Sequence, residues 1–278
     1  MKSRRVIDQG LLPLGVGGRS RARLSTRRRR ARLLFTFFGL LVAVLVVGGF
    51  AYATYMPRLQ ITNIDVIGAD SISSNLIRNY AETILNDGKL HFLSRTNLFL
   101  YPRVAIARSL ALNFPRIALA DVDRESILAQ AVRITIHERQ PFATWCSEDK
   151  TCFQVDSSGY IFAQAATTTG YEFRGGLTAT SSPIGSTYLP GHFVEVHTLL
   201  KLLAETHAPV SVDVMGDQDY VVNLQTGLRL YVPFSANPEI IVRNLDTVLA
   251  SDALKGKQAK LEHVDLRYGN RVYYKLKK

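Results

Sequence analysis

The sequence is poor in the residues that build metal and nucleophilic centres. It has only two cysteines, Cys146 and Cys152, and lacks the second pair that a structural zinc site needs. Its histidines include no HExxH motif, and His192 and His197 are not at the four-residue spacing that aligns two ligands on one helix face. The sequence also has no G-x-S-x-G elbow, no G-x-G-x-x-G and no phosphate-binding loop. These absences argue against an enzyme and predict no catalytic residue, metal site or cofactor.

Acidic residues are almost absent from residues 1–32, which hold 11 of the 34 Lys and Arg but only one acid, Asp8. Residues 33–278 carry 23 bases and 22 acids, so most of the net charge of +11 belongs to a tail. This tail mixes Gly, Pro, Ser and Arg without an apolar period, which predicts disorder. We expect it to lie beside anionic lipid headgroups and expect no nucleic-acid partner, although a specific cytoplasmic partner stays open.

Charge is absent from Leu33 to Pro57. A helix over residues 33–55 would be roughly 34 Å long, enough to cross the ~30 Å hydrocarbon core of a bilayer. Arginines cluster before this segment and Arg58 stands alone after it, so the positive-inside rule predicts a single-pass helix with a cytoplasmic N-terminus. Ala51-Tyr52-Ala53 resembles a signal-peptidase site, so a cleaved signal peptide is the alternative.

The two cysteines fall in the region predicted to lie outside the membrane. Cys146 and Cys152 have a C-x5-C spacing, and disulfides persist in an extracytoplasmic compartment. A disulfide between them and two unpaired loop thiols are both compatible with the sequence.

The pattern after the membrane segment predicts a small α+β unit with the order β-α-α-β-β. A strand ends near Gly68, a helix follows from Ser73, and a second helix over residues 102–113 buries a face of Val104, Ala107, Leu110 and Ala111. Two strands complete the unit, over residues 117–123 and 131–138.

The region from Arg139 onward predicts short strands with two amphipathic helices, one after Pro190-Gly191 and one starting at Asn237-Pro238. Residues 165–185 are rich in Thr, Ser and Gly and predict an exposed loop.

The last residues give the sharpest local signal. Two alternating runs, 264–268 and 271–276, flank Gly269-Asn270, which predicts a β-hairpin ending at a sheet edge. Arg271, Tyr273 and Lys275 would form its outward face. This face suits an acidic partner that adds a strand, and equally suits solvated charges that protect the edge from aggregation.

Several motifs in order resemble the FtsQ/DivIB family of bacterial cell-division proteins. The chain first has a basic tail, one anchor and a β-α-α-β-β unit. The motifs are IHERQP (136–141) with Trp145 shortly after it, VDSSGYIF (155–162), LPG (189–191) and VDLRY (264–268). The resemblance covers nearly the whole chain.

The resemblance implies a POTRA domain over residues 57–138 and a mixed β-sheet domain with flanking helices over residues 139–278, α+β overall. It implies a non-enzymatic scaffold in the plasma membrane at the division septum, which links early and late division proteins. The implied partners are small coiled-coil proteins of the FtsB/DivIC and FtsL kinds, one of which adds a strand to the last strands. The partner-binding residues that it implies are Arg267, Tyr268, Arg271, Val272, Tyr273, Tyr274 and Lys275.

Two other function classes compete with this one. A POTRA-bearing chaperone or secretion factor would also bind extended polypeptides by strand addition, although the sequence shows no second repeat. A membrane-anchored hydrolase would need a catalytic triad or a metal cluster.

Overall fold

The computed structural model of the chain describes residues 22–89, 91–127, 129–177, 182–269 and 271–277. The chain divides into two compact units. One contains the N-terminal helix, and the other contains two β-sheets with four α-helices. The fold is therefore of the mixed α+β class.

The N-terminal helix, α1, is formed by Ala22–Thr54. Its part from Arg29 to Thr54 is long and apolar enough to span a membrane. The helix begins well before Leu33, so residues 22–32, expected to belong to a disordered tail, are helical. Ala and Arg are good helix formers, and they extend a helix that the apolar segment has already nucleated. The rest of the predicted tail, residues 1–21, lies outside the described residues.

The first sheet has three strands and carries two helices on one face. Its elements are β1 (Asn63–Ile67), α2 (Ser74–Leu85), α3 (Arg103–Asn113), β2 (Ile117–Ser126) and β3 (Ala131–Glu138). The sheet order is β1-β3-β2, with β1 parallel and β2 antiparallel to β3. The order of elements is the one the sequence predicts.

The two helices of this sheet differ in how well their buried faces can be read. Helix α2 buries Ile77, Ala81 and Leu85, which lie four residues apart along one stripe. Helix α3 buries Leu110 and packs Ala107 partly against the core, as predicted, but it also buries Ile106 and leaves Val104 72% exposed. The prediction was wrong at Val104, because alanines on several sides of α3 make more than one stripe look apolar.

The second sheet has nine strands in the order β12-β11-β10-β9-β8-β7-β4-β5-β6. Its elements are β4 (Ala143–Cys146), β5 (Cys152–Val155), β6 (Ile161–Gln164), β7 (Tyr171–Arg174), α4 (Phe193–Ala204), β8 (Pro209–Val214), β9 (Asp219–Leu224), β10 (Arg229–Pro233), α5 (Pro238–Leu249), β11 (Leu261–Tyr268) and β12 (Arg271–Leu276). Asn237 caps α5, because its side-chain oxygen accepts from the N–H groups of Glu239 and Ile240.

Strand β7 lies inside the stretch that the sequence predicts to be a loop. It pairs in parallel with both β4 and β8, and Phe173 is fully buried. The loop prediction over residues 165–185 was therefore wrong for Tyr171–Arg174. Residues 178–181 of the predicted loop lie outside the described residues.

The core of the second sheet is rich in aromatic rings. Trp145 is 8% exposed, and its indole N–H donates to the carbonyl oxygen of Gly175 at 2.9 Å. Phe173 packs edge-on against Tyr188, with ring centroids 5.4 Å apart. Helices α4 and α5 bury their apolar stripes in the same core.

A disulfide joins Cys146 to Cys152 across the β4–β5 hairpin. The two residues are direct partners in the register, and their Cα atoms are 4.1 Å apart. The bond therefore closes a single tight hairpin.

Arg139 connects the two sheets. Its Nε donates to the carbonyl oxygen of Pro115 at 3.1 Å, and its Nη1 lies 2.5 Å from a carboxylate oxygen of Asp156. Its guanidinium lies 4.1 Å from the ring centroid of Tyr160. One side chain thus contacts the start of β2 and the turn between β5 and β6.

Candidate functional site: an open sheet edge

Strand β12 forms one edge of the nine-stranded sheet. It pairs antiparallel with β11, and Tyr268 and Arg271 close the hairpin as register partners. Gly269 has φ +62°, a left-handed conformation that glycine adopts without steric cost. The hairpin and its edge position agree with the sequence prediction, and Asn270 of the predicted turn lies outside the described residues.

The backbone of β12 offers hydrogen-bonding groups to a further strand. The N–H of Lys277 donates to the carbonyl oxygen of Lys260 at 2.7 Å, so Lys277 faces the paired side. Backbone groups of successive strand residues point alternately to the two sides. Those of Arg271, Tyr273 and Lys275 therefore face β11, and those of Val272, Tyr274 and Leu276 face the open side. Among the described residues, no backbone group pairs with this open side.

The opposite edge of the same sheet, β6, is covered. The N–H of Ile161 donates to the carbonyl oxygen of Ser186 at 2.9 Å, and the N–H of Gly185 donates to the carbonyl oxygen of Ile161 at 2.8 Å. Phe162 on this strand is 3% exposed. A further strand therefore has access to β12 and not to β6.

A β-bulge next to β12 redirects Arg267. The register shifts between Asp265 and Tyr268, which places Leu266 and Arg267 together opposite one residue of β12. Arg267 donates two hydrogen bonds to the carboxylate of Asp265, from Nε at 2.9 Å and from Nη2 at 2.7 Å. Its Nη1 donates to Asp219 on β9 at 3.0 Å. The side chain thus ties the bulge across the outer face of the sheet.

The charges of this network stabilise one another. Burial opposes ionisation of Asp265, but the hydrogen bonds from Arg267 outweigh it and lower the pKa of the carboxyl group. The hydrogen bonds to Asp265 and Asp219 raise the pKa of Arg267. The guanidinium also lies 5.3 Å from the ring centroid of Tyr231. Arg267 is therefore held in place by contacts within the sheet itself.

Aromatic side chains cluster beside the open edge. Tyr268 and Tyr273 meet edge-on with ring centroids 5.2 Å apart, and they are 57% and 52% exposed. Tyr274, on the other face of the strand, is 43% exposed. Exposed tyrosines supply large contact area at low entropic cost, which is why binding surfaces are rich in them.

Basic side chains complete the outward face. Arg271 is exposed, and Lys275 forms an ion pair of 2.9 Å with Glu262. The hydrogen bond from Lys275 lowers the pKa of Glu262, which also contacts Arg229 at 2.8 Å.

The structure gives the seven sequence-implied residues different roles. Tyr268, Arg271, Tyr273, Tyr274 and Lys275 are exposed along the edge. Val272 is half-buried against the core of the sheet, and Arg267 is engaged by two carboxylates. Sequence reasoning missed the residues that support the edge from neighbouring strands, which are Asp219, Tyr231, Glu262 and Asp265. The bulge that brings them together leaves no local signal in the sequence.

A cleft of about 770 Å³ lies at the end of the same sheet, near the start of β11. On its wall, Nε2 of His207 lies 2.8 Å from Oδ1 of Asp246, and leucines form part of its lining. None of the described residues that line it is Ser or Cys. Within the described part of the chain, no group of three or more His, Cys, Asp or Glu is placed to hold a metal ion. The lining of this cleft thus holds a His–Asp pair without a serine or cysteine that would complete a hydrolase triad.

No known family model matches this chain, and no curated protein matches it.

Proposed function

We propose that the chain is a bitopic scaffold of the bacterial divisome, of the FtsQ/DivIB type, which captures an extended segment of a partner by strand addition to β12. The observation that carries this proposal is the contrast between the edges of the large sheet. Strand β12 is open and bordered by exposed tyrosines and cations, whereas β6 is covered by residues 185–186. Added strands gain main-chain hydrogen bonds from such an edge, and the side chains beside it select the sequence.

The chemistry of the edge specifies the partner segment. An acidic residue in the added strand would meet Arg271 and Lys275, and an aromatic or aliphatic residue would meet Tyr273. Small coiled-coil division proteins of the FtsB/DivIC and FtsL kinds are the partners that the sequence resemblance implies, and a segment of this composition is what we expect in one of them.

The membrane topology belongs to the same proposal. The arginine-rich start of α1 lies in the cytoplasm beside anionic lipid, and the two sheets lie outside the membrane. The first sheet, with its β-α-α-β-β order, serves as the POTRA domain that contributes to recruitment.

A proline placed on the open side of β12 tests strand addition directly. Tyr274→Pro removes an outward N–H and leaves the pairing with β11 complete, so the fold should persist while partner capture is lost. Tyr274→Ala is the matched control, because it removes the ring but keeps the N–H. Capture is measured by co-purification of full-length chain with the small coiled-coil partners. Equal capture by the proline and alanine variants would show that the partner binds elsewhere.

Imaging tests the division role separately. A fluorescent protein fused to the N-terminus should form a band at the constriction site of dividing cells of the source organism. A uniform membrane signal would argue against a divisome scaffold and favour the alternative of a membrane-anchored chaperone or secretion factor. Protease accessibility of the C-terminal part from outside the membrane tests the orientation.

A further inference from the structure

In the described part of the chain the two sheets have four edges, and two of them are partly covered. Residues 185–186 cover β6. Strand β1 is short, and Nε of Arg78 donates to the carbonyl oxygen of Ile64 on it at 2.9 Å. Strands β2 and β12 are the other two edges, and among the described residues no backbone group outside its own sheet pairs with the strand body of either.

These two open edges carry opposite charge. The outer face of β2 presents three acids at every second position, Asp121, Asp123 and Glu125. Asp121 and Asp123 have 55% and 76% of their side-chain surface exposed; Nε2 of His137 lies 3.7 Å from Asp121, and Nη1 of Arg103 lies 3.9 Å from Asp123. Glu125 has 31% of its side-chain surface exposed and forms an ion pair with Arg133. The outer face of β12 presents Arg271, Tyr273 and Lys275 with the same period.

The backbone of β2 is compatible with the backbone of β12. The carbonyl oxygen of Gln130 accepts from Thr62, so the even-numbered residues of β3 face β1 and the odd-numbered residues face β2. Asp121 and Asp123 are register partners of the odd-numbered Thr135 and Arg133, so their backbone groups face inward. The backbone groups that β2 directs to its open side therefore belong to Ala120, Val122 and Arg124.

One antiparallel register satisfies both strands at once. It pairs the outward backbone groups of Val272, Tyr274 and Leu276 on β12 with those of Arg124, Val122 and Ala120 on β2. The same register brings three side-chain pairs together on the outer face, Arg271 with Glu125, Tyr273 with Asp123 and Lys275 with Asp121. Residues directly opposite in such a pair have Cβ atoms about 4.5–5.5 Å apart, within reach of ion pairing.

If two copies paired through the same edge, β12 with β12 or β2 with β2, like charges would face each other. Two copies of β12 paired about Tyr273 would place Arg271 of one copy opposite Lys275 of the other. Two copies of β2 paired about Asp123 would place Asp121 opposite Glu125. Like charges directly opposite are destabilising, so the charges favour the mixed pair over either self-pair.

From these observations we propose that the β12 edge of one copy of this chain adds to the β2 edge of a second copy, antiparallel and in the register that places Tyr273 opposite Asp123. The contact is heterologous, so each copy keeps one open edge and further copies can be added head to tail. An edge strand accepts one added strand at a time. The copy that contributes its β12 edge to this contact is therefore closed to any other partner at that edge, so self-association competes with the strand capture proposed above.

Cross-linking between two tagged full-length copies in phospholipid vesicles tests the register. One copy carries Asp123→Cys and the other carries Tyr273→Cys, while the native cysteines are held in their own disulfide. Mild oxidation should give a covalent dimer that contains both tags. Vesicles with either variant alone should not, since neither position meets itself in this register. The control pairs Asp123→Cys with Tyr274→Cys, whose side chain lies on the other face, and should cross-link poorly.

Charge reversal tests whether the ion pairs determine the register. It also distinguishes loss of these pairs from misfolding of a variant. Asp121→Lys with Glu125→Lys in one copy should weaken cross-linking about tenfold, because two attractive pairs become repulsive. Arg271→Glu with Lys275→Glu in the other copy should restore it, which a misfolded variant could not do. No mixed dimer, an equally strong dimer from Tyr273→Cys copies alone, or no rescue by the second reversal would each overturn the proposal. The vesicles contain this chain and no other protein, so these outcomes leave the proposed scaffold function untouched.

Discussion

Replacing Arg267 with alanine should destabilise the β12 edge more than any other single change to its charged residues. Arg267 makes two hydrogen bonds to Asp265 and one to Asp219, joining β11 to β9 across the outer face of the sheet. Its loss leaves Asp265, which is 8% exposed, with the backbone N–H of residue 267 as the hydrogen-bond donor that the described residues still provide to its carboxylate.

The size of the effect follows from the number of contacts and their exposure. A hydrogen bond to a charged group contributes about 1.5–3 kcal/mol when the partners are shielded from water. Arg267 and Asp219 have 32% and 26% of their side-chain surface exposed, so solvent screens part of that energy. We expect Arg267→Ala to lower the free energy of unfolding by about 2–3 kcal/mol. Arg267→Lys keeps the charge but loses the bidentate hydrogen bonding to Asp265. It should lower the free energy of unfolding by about half as much.

Urea unfolding of the full-length chain in detergent micelles, followed by tryptophan fluorescence, measures this effect. Trp145 is the only tryptophan and lies in the core of the same sheet, so its emission reports unfolding there. Arg229→Ala is the matched control, because Arg229 is more exposed and pairs with one carboxylate, on Glu262. Arg229→Ala should lower the free energy of unfolding by about 0.5 kcal/mol. Equal costs for Arg267→Ala and Arg229→Ala would refute the assignment of Arg267 as the support of the edge.

Three further perturbations test the fold of the large sheet away from the β12 edge. Reducing the disulfide, or replacing Cys146 and Cys152 by serine, should lower the free energy of unfolding by about 2 kcal/mol, measured in urea with and without reductant; an unchanged midpoint would contradict the bond. Burial raises the pKa of Asp156, but hydrogen bonds to its carboxylate outweigh this effect and lower the pKa. The ionised carboxylate therefore contributes its full stabilisation of the fold above about pH 4, and this stabilisation is lost as the pH falls through the folded-state pKa. The free energy of unfolding should therefore fall less steeply with decreasing pH in Asp156→Asn than in the natural chain. Identical acid titrations of the two proteins would exclude this role. Gly170→Ala should cost more than about 2 kcal/mol, because a Cβ would lie 2.1 Å from a backbone carbonyl oxygen; Gly256→Ala, with a similar positive φ but open space, should cost about 1 kcal/mol in the same thermal melt.

Local patterns in the sequence were sufficient for elements whose signal is complete within a few residues. Asn237-Pro238 predicts the start of α5 because a cap and a first-turn proline act on adjacent backbone groups. The terminal hairpin is predicted in the same way, since alternation and turn residues lie in one short segment. Both predictions depend on interactions between near neighbours in the chain.

Elements defined by distant partners were harder to predict. Tyr171–Arg174 is a strand because β4 and β8 lie on its two sides, and Thr- and Ser-rich flanks hide its aromatic alternation. The support of β12 by Asp219 requires a contact across 48 positions, made possible by a bulge. The sequence identified the residues on the edge itself, but the residues that hold the edge could be found only from the fold.

The way in which β12 is held bears on how it would bind. Val272 and Leu276 pack against the core, and the Arg267 network fixes the neighbouring bulge without any contact from a partner. The edge is therefore formed before binding, and an added strand meets hydrogen-bonding groups that are already aligned. Most of the ordering entropy then falls on the added segment, so a partner already held extended should bind more tightly than a disordered one of the same sequence. A second copy of β2 is such a segment, because its own sheet already orders it. Preorganisation thus favours self-association over capture of a disordered partner at equal contact area, and a competing partner must offset this advantage with additional contacts outside the strand.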